Sequence, residues 1–301
     1  MKRILARLFD PDPIFKASKF DVYFSQFLLI LTWIFFVPKN IGGFNLEKYW
    51  EPISFFQWLP VESGSQSFPA TLLLFGSIFG LLSIIGLLRK YSFFTFAIVT
   101  LISAGYPLNF GSLSSAPHLF AMFVLAFAFL ELVDSESTST SVTQLKSKKV
   151  TLIGVYQSMI EDLNPAYKLA SLRAIVVTYY FCAGLIKIVN VGFVWSWSEN
   201  LFRLAYQDYW QGPLLEWAIN QPSGLITFIC GLGLLIEFLA PLALLSKRFY
   251  FFFACGWISL HIGIILLSGD HYQFLLNIAP ILATIPIFTL TKSVWVKLKL
   301  V

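Results

Sequence analysis

Few residues in this chain could do chemistry, and their placement is unusual. One lysine, Lys187, stands inside the apolar run Tyr179-Tyr180-Phe181-Cys182-Ala183-Gly184-Leu185-Ile186-Lys187-Ile188-Val189. A bare ammonium in hydrocarbon costs at least ~2.5–3.5 kcal/mol, so such a residue is expected to face a protein interior or a wet cavity, beside a partner or a substrate. The plain alternative is that its stem follows apolar surface and delivers the charge to the membrane boundary. Three further ionisable side chains stand in or at the edge of apolar runs: His118, Glu237 and His261. Asp270 and His271 follow such a run and are expected to be solvated.

The chemistry open to this set is proton transfer. Desolvation weakens an ammonium's hold on its proton, which suits a base working near neutral pH. A histidine nearby can polarise an oxygen or relay the proton. Glu237 has two readings that stand side by side: it neutralises Lys187 as a buried charge requires, or it handles protons. A carboxylate there would also strengthen the lysine's hold on its proton, so the two effects oppose each other. His261, two residues before Gly263, has the alternative of a hydrogen bond across helices. Three histidines without HxxxH spacing, and Cys182, Cys230 and Cys255 without CxxC spacing, give no expectation of a metal centre or a disulfide framework.

The elements that must position these groups are transmembrane helices. Hydrophobic residues make up 57% of the 301 and charged residues 12%, with a mean hydropathy of +0.74. That charged fraction is about half of what a soluble domain carries. A spanning helix needs about 20 mostly apolar residues, and eight runs qualify: 20–38, 69–88, 92–107, 117–133, 172–190, 223–245, 249–267 and 273–290. The expected fold is an all-α polytopic membrane bundle. Arg89-Lys90 and Lys247-Arg248 are expected to make tight breaks between neighbouring spans.

The distribution of positive charge orients the bundle. With the N-terminus inside, only Lys39, Lys48 and Arg203 fall in outer segments and Lys187 within a span; every other lysine and arginine lies on the inner side. This fits the positive-inside rule and assigns both termini to the cytoplasm. The net charge of +5 is then a matter of topology, and no nucleic-acid partner is expected. In this orientation His118, Lys187, Glu237 and His261 all fall between the bilayer centre and the outer surface.

Three domains are expected: an amphipathic cytoplasmic segment over 1–19, the membrane bundle over 20–290, and a basic tail over 291–301. Residues 1–9 have the pattern of a basic helix lying on the membrane. Residues 39–68, with Trp50, Trp58, Glu47, Glu51 and Glu62, are expected on the outer face. The connection 134–171 lies inside, and its Ser/Thr-rich part from Ser135 to Ser147 has the composition of a flexible linker. The outer loop 191–222 holds Trp195, Trp197, Tyr206, Tyr209, Trp210 and Trp217, an aromatic density found at headgroup level. It is either an aromatic belt or a cap over a cavity opening outward.

Tyr180-Phe181-Cys182-Ala183-Gly184-Leu185-Ile186-Lys187, followed by Trp195, resembles the tyrosine, alanine-glycine, lysine and tryptophan pattern of the HTTM membrane domain. That domain occurs in vitamin K-dependent gamma-carboxylases and in many bacterial relatives. Pro117-His118-Leu119-Phe120 is similar to the family's outer-edge histidine before an apolar helix. Glu237 to Leu245, with Pro241, and Leu260-His261-Ile262-Gly263 resemble its later helices. The resemblance covers essentially the whole chain. It implies Lys187 as the base that deprotonates a reduced, vitamin K-like quinone, His118 as its supporting hydrogen-bond group, and Tyr180, Trp195, Glu237 and His261 around the cofactor, in a site facing the outer side. The carboxylases place two lysines together and carry a large lumenal part after their helices. The arrangement here is similar to compact bacterial members, including SdpB-like factors that help mature a secreted peptide. The implied setting is a bacterial inner membrane, with lipid or quinone, a secreted peptide or an associated membrane protein as partners.

A rival reading from another class is a non-catalytic membrane partner or small-solute carrier in which Lys187 and Glu237 form a structural pair.

Overall fold

The computed structural model describes residues 17–41, 67–105, 116–144, 165–197, 212–269 and 271–291. Among these the regular structure is helical throughout, with no strand. The described residues divide into two compact units, one within 17–172 and 282–291 and the other within 173–281. The helix expected over 1–9, the tail 292–301, the outer residues Trp50, Trp58, Glu47, Glu51 and Glu62, and Tyr206, Tyr209 and Trp210 lie outside the described residues.

In the first unit α1 (Lys19–Ile41), α2 (Ser67–Ile85), α3 (Arg89–Gly105) and α4 (Ala116–Gln144) pack in succession. α1 opens with a capping box: Ser18 N–H donates to Asp21 Oδ2 at 2.8 Å, and Asp21 N–H donates back to Ser18 Oγ at 3.3 Å. The Asp21 side chain is 1% exposed and also accepts from Phe288 N, Thr289 N and Thr289 Oγ1. One carboxylate thus caps α1 and the helical stretch 287–291 together. On α2, Gly76 and Gly80 are four residues apart, and a Cβ on either would strike Trp33 or Ile30 of α1. Such small-xxx-small stripes let apolar helices approach closely where no water drives them together. The fully buried Trp33, Phe96, Phe93 and Phe127 continue the core in edge-to-face contacts.

The α2–α3 turn differs from the break expected at Arg89-Lys90. The chain turns at 86–88: Gly86 has φ 89°, its N–H reaches Ser83 O, and Leu87 N–H reaches Leu82 O. This is a Schellman stop, for which glycine is the favoured residue, and Arg89 already belongs to α3. A second difference is that α4 runs on to Gln144, through most of the stretch expected to be a linker. Serine and threonine in a helix interior cost only a few tenths of a kcal/mol each, too little to stop a helix already running.

The second unit takes up α5 (Pro165–Val191) from Arg173, then a 3₁₀ turn (Gly192–Ser196), α6 (Leu215–Ile219), α7 (Ser223–Phe238), a 3₁₀ turn (Ala240–Leu244), α8 (Lys247–Ser268) and most of α9 (His271–Ala283). The run expected as one span over 223–245 is broken, because Pro241 has no N–H to continue the α-helix. Ser246 caps α8 by accepting from Phe249 N, which puts Lys247 and Arg248 inside its first turn rather than at a break. Gly269, at φ 75°, ends it.

Two stretches, 165–196 and 247–268, are long and apolar enough to cross a membrane, and only 22% and 28% of their apolar lengths is buried within the protein. The buried core helix of a soluble protein would be mostly covered. Shorter apolar helices run over 70–85, 118–133 and 223–238.

Candidate functional site

The cluster is built on one face of α5. Tyr180, Gly184 and Lys187 are spaced by four and three residues, so they stack along a single stripe. Gly184 sets the distance to α7: a Cβ there would lie 2.7 Å from Phe238 N and 3.0 Å from Glu237 Cβ. The absence of a side chain at Gly184 therefore lets the backbone of α5 come against the end of α7. One turn further on, Lys187 Nζ donates to Glu237 Oε2 at 2.5 Å. The two side chains are unequally covered, Glu237 being 7% exposed and Lys187 27%. The ammonium also lies 4.3 Å from the ring centre of Trp195, contributed by the 3₁₀ turn that follows α5. A cation over an indole face gains about 0.5–2 kcal/mol, more as water is excluded.

Two turns back on the same face, the Tyr180 hydroxyl and His261 Nε2 share a hydrogen bond of 2.6 Å. Both residues are buried. The Tyr180 ring is stacked on Trp257 at 4.5 Å with the planes 5° apart, and Trp257 precedes His261 by one turn of α8. The Trp257 indole N–H in turn donates to Ile236 O at 3.3 Å. That carbonyl lies in the last turn of α7, where the helix stops and backbone acceptors lose their intrahelical donors. One tryptophan thereby supports both Tyr180 and the break beside Glu237.

Of the residues singled out from the sequence, Lys187, Glu237 and Trp195 come together, and so do Tyr180 and His261. His118 belongs to the first unit, near the start of α4 and half-buried; the cluster just described lies wholly in the second. Trp257 was not singled out, although Phe253, Trp257 and His261 repeat at four-residue spacing and mark one face of α8. The first unit holds a second polar group, of which Lys168 and Arg89 read as inner-side charge and Glu131 was not singled out. Lys168 Nζ donates to Glu131 Oε1 at 2.7 Å, with Arg89 Nη2 3.8 Å from Glu131 Oε2.

The arrangement can hold, share and pass protons. Lys187 and Glu237 form an acid–base couple at hydrogen-bond distance, and Tyr180 and His261 form another. No protein-family model, no curated protein and no solved structure matches the chain.

Proposed function

We propose that this chain is a multi-pass inner-membrane protein of HTTM-like type, with eight spans and cytoplasmic termini. In this reading it holds a quinol-like, lipid-soluble cofactor in an outward-facing cavity beside Lys187 and takes a proton from it. The observation that carries this reading is the pair of acid–base couples, Lys187–Glu237 and Tyr180–His261, stacked on one face of an apolar helix. Charge in such a place is expensive and marks function or a buried pair. For Lys187 to act as a base, its proton first passes to Glu237 Oε2. The neutral amine would then be the group able to take a proton from a bound quinol, whose chemistry is to give one up, and the Lys187–Glu237 couple would gain that proton. Trp195 would shield the ammonium, and the Tyr180–His261 couple would be the hydrogen-bonding group available to such a cofactor. The activity this would serve is modification or maturation of a secreted peptide.

Mass spectrometry of lipid extracts from the purified protein tests the reading, with wild type beside Lys187→Ala and Tyr180→Phe. The expected result is a co-purifying quinone whose occupancy or redox form changes in Lys187→Ala. A quinone absent from the wild type, or one indifferent to both substitutions in folded protein, overturns it.

One observation favours the rival reading. The ammonium of Lys187 is already matched by Glu237, and α7 is interrupted next to that carboxylate, as helices are at the binding sites of many carriers. Lys187 and Glu237 would then be a structural pair in a carrier or a non-catalytic partner.

A further inference from the structure

The first unit contains a cavity that the reading above does not use. Its volume is about 380 Å³. It lies where the first turns of α1 meet the α2–α3 turn and residue 288. Phe20, Phe24, Phe27 and Phe288 make apolar walls, and Gln26, Ser83 and Arg89 bring polar groups to it. Arg89 is held in place from three sides, with its Nη2 3.8 Å from Glu131 Oε2. Its Nε and Nη2 both donate to Gln26 Oε1, and its guanidinium lies 3.7 Å from the centre of the Tyr23 ring.

Two buried polar atoms of residues lining this cavity lack a hydrogen-bond partner. Gln26 is 4% exposed and Ser83 2%, yet Gln26 Nε2 and Ser83 Oγ make no hydrogen bond. Burying a donor unpaired costs ~1–3 kcal/mol, and buried polar groups in native proteins are nearly always satisfied. The Gln26 amide cannot turn to relieve this, because its oxygen already serves Arg89. The site therefore offers hydrogen-bond donors and a guanidinium to a ligand, within walls of aromatic rings.

We propose that this cavity binds the phosphate of an anionic phospholipid. The phosphate oxygens accept from Gln26 Nε2, Ser83 Oγ and the Arg89 guanidinium, while the glycerol and the start of the acyl chains lie along Phe20, Phe24 and Phe27. An anionic headgroup is favoured over a zwitterionic one because a choline or ethanolamine cation would sit against Arg89. In the proposed orientation this end of the helices is the cytoplasmic one, where anionic lipids attract basic residues at about 1 kcal/mol each. The inference rests on the helices lying in a bilayer and is independent of any chemistry at Lys187.

The test uses the full chain, purified in a phosphate-free detergent and stripped of lipid. Thermal unfolding is followed against dioctanoyl phosphatidylglycerol, dioctanoyl phosphatidylcholine and inorganic phosphate. Phosphatidylglycerol is expected to raise the midpoint in a saturable way. Its apparent affinity should fall about tenfold in Gln26→Leu, and several-fold in Ser83→Ala, which removes one donor and leaves the Arg89 contacts intact. An equal response to phosphatidylcholine overturns the anionic assignment. Inorganic phosphate with the same affinity overturns the lipid assignment in favour of a free phosphate. A Ser83→Ala protein that binds phosphatidylglycerol as tightly as wild type overturns the site.

Discussion

Replacing Lys187 by Met, Glu237 by Leu, and then both, separates the energetic role of this pair from its chemical one. Removing one member of a buried ion pair costs about 3–5 kcal/mol, because the other charge is stranded, whereas replacing both by apolar residues of similar volume is often neutral or stabilising. The structure makes the two single changes unequal. Lys187→Met strands the Glu237 carboxylate, 7% exposed at the end of α7, and the full ~3–5 kcal/mol applies. Glu237→Leu strands an ammonium that is 27% exposed, rests on Trp195 and has a flexible stem. It can reach water by a modest movement, so about 1–3 kcal/mol is expected. The double change should return to within about 1 kcal/mol of wild type. Reversible unfolding of the purified protein in mixed micelles reads all four corners of the cycle, with quinone occupancy measured in parallel. Additive single costs would refute the pairing as an energetic unit. A Glu237→Leu cost above that of Lys187→Met would refute the inference from burial. A double variant that keeps both stability and full activity would end the catalytic reading and leave the structural one.

Two further predictions concern helix contacts. Gly184→Ala pushes α5 off the α7 backbone and should cost ~1–3 kcal/mol by overpacking, together with the Lys187–Glu237 contact. Gly231→Ala, where the nearest atom to a new Cβ is 3.9 Å away, is the control expected to be silent on the same unfolding assay. Asp21→Ala removes the acceptor shared by Ser18, Phe288 and Thr289. With a helix cap worth ~1 kcal/mol and buried donors left unpaired at ~1–3 kcal/mol, it should lower stability by about 2–4 kcal/mol, with early hydrogen exchange in 287–291.

Most apolar helices were legible because hydrocarbon-compatible runs are a property of composition alone, although the run expected over 273–290 is broken at 284–286. Lys187 stood out for the same reason, and Glu237 was named as its partner in one of two readings. The joints between helices were less legible. Hydropathy assigns Gly86 and Arg89 to different categories but says nothing of φ, so the turn was placed three residues late. Pro241 was noted as part of a resemblance and not as a helix breaker, although its missing N–H is the reason α7 ends at Phe238. α5 begins at Pro165 rather than near 172, since proline suits the first turn of a helix and polar residues extend it beyond the apolar run. The Gln26–Arg89 contact joins residues 63 apart in sequence. No local pattern announces such a pairing, and Arg89 read as an inner-side charge and as part of a break between spans.

The interruption of α7 has an electrostatic consequence for the lysine it faces. Peptide dipoles sum to about half a negative elementary charge at a helix C-terminus, and Glu237 is the penultimate residue of this one. The ammonium of Lys187 is therefore held by two negative sources, a side chain and the end of a helix. A carboxylate placed there is working against its own helix, which disfavours a second anion at that end. The same terminus gives the lysine a partner that no side-chain substitution can delete. Neutralising Glu237 with glutamine would remove the side-chain source and leave only the weaker pull of the helix end, so Lys187 would be held there less firmly than in the wild type.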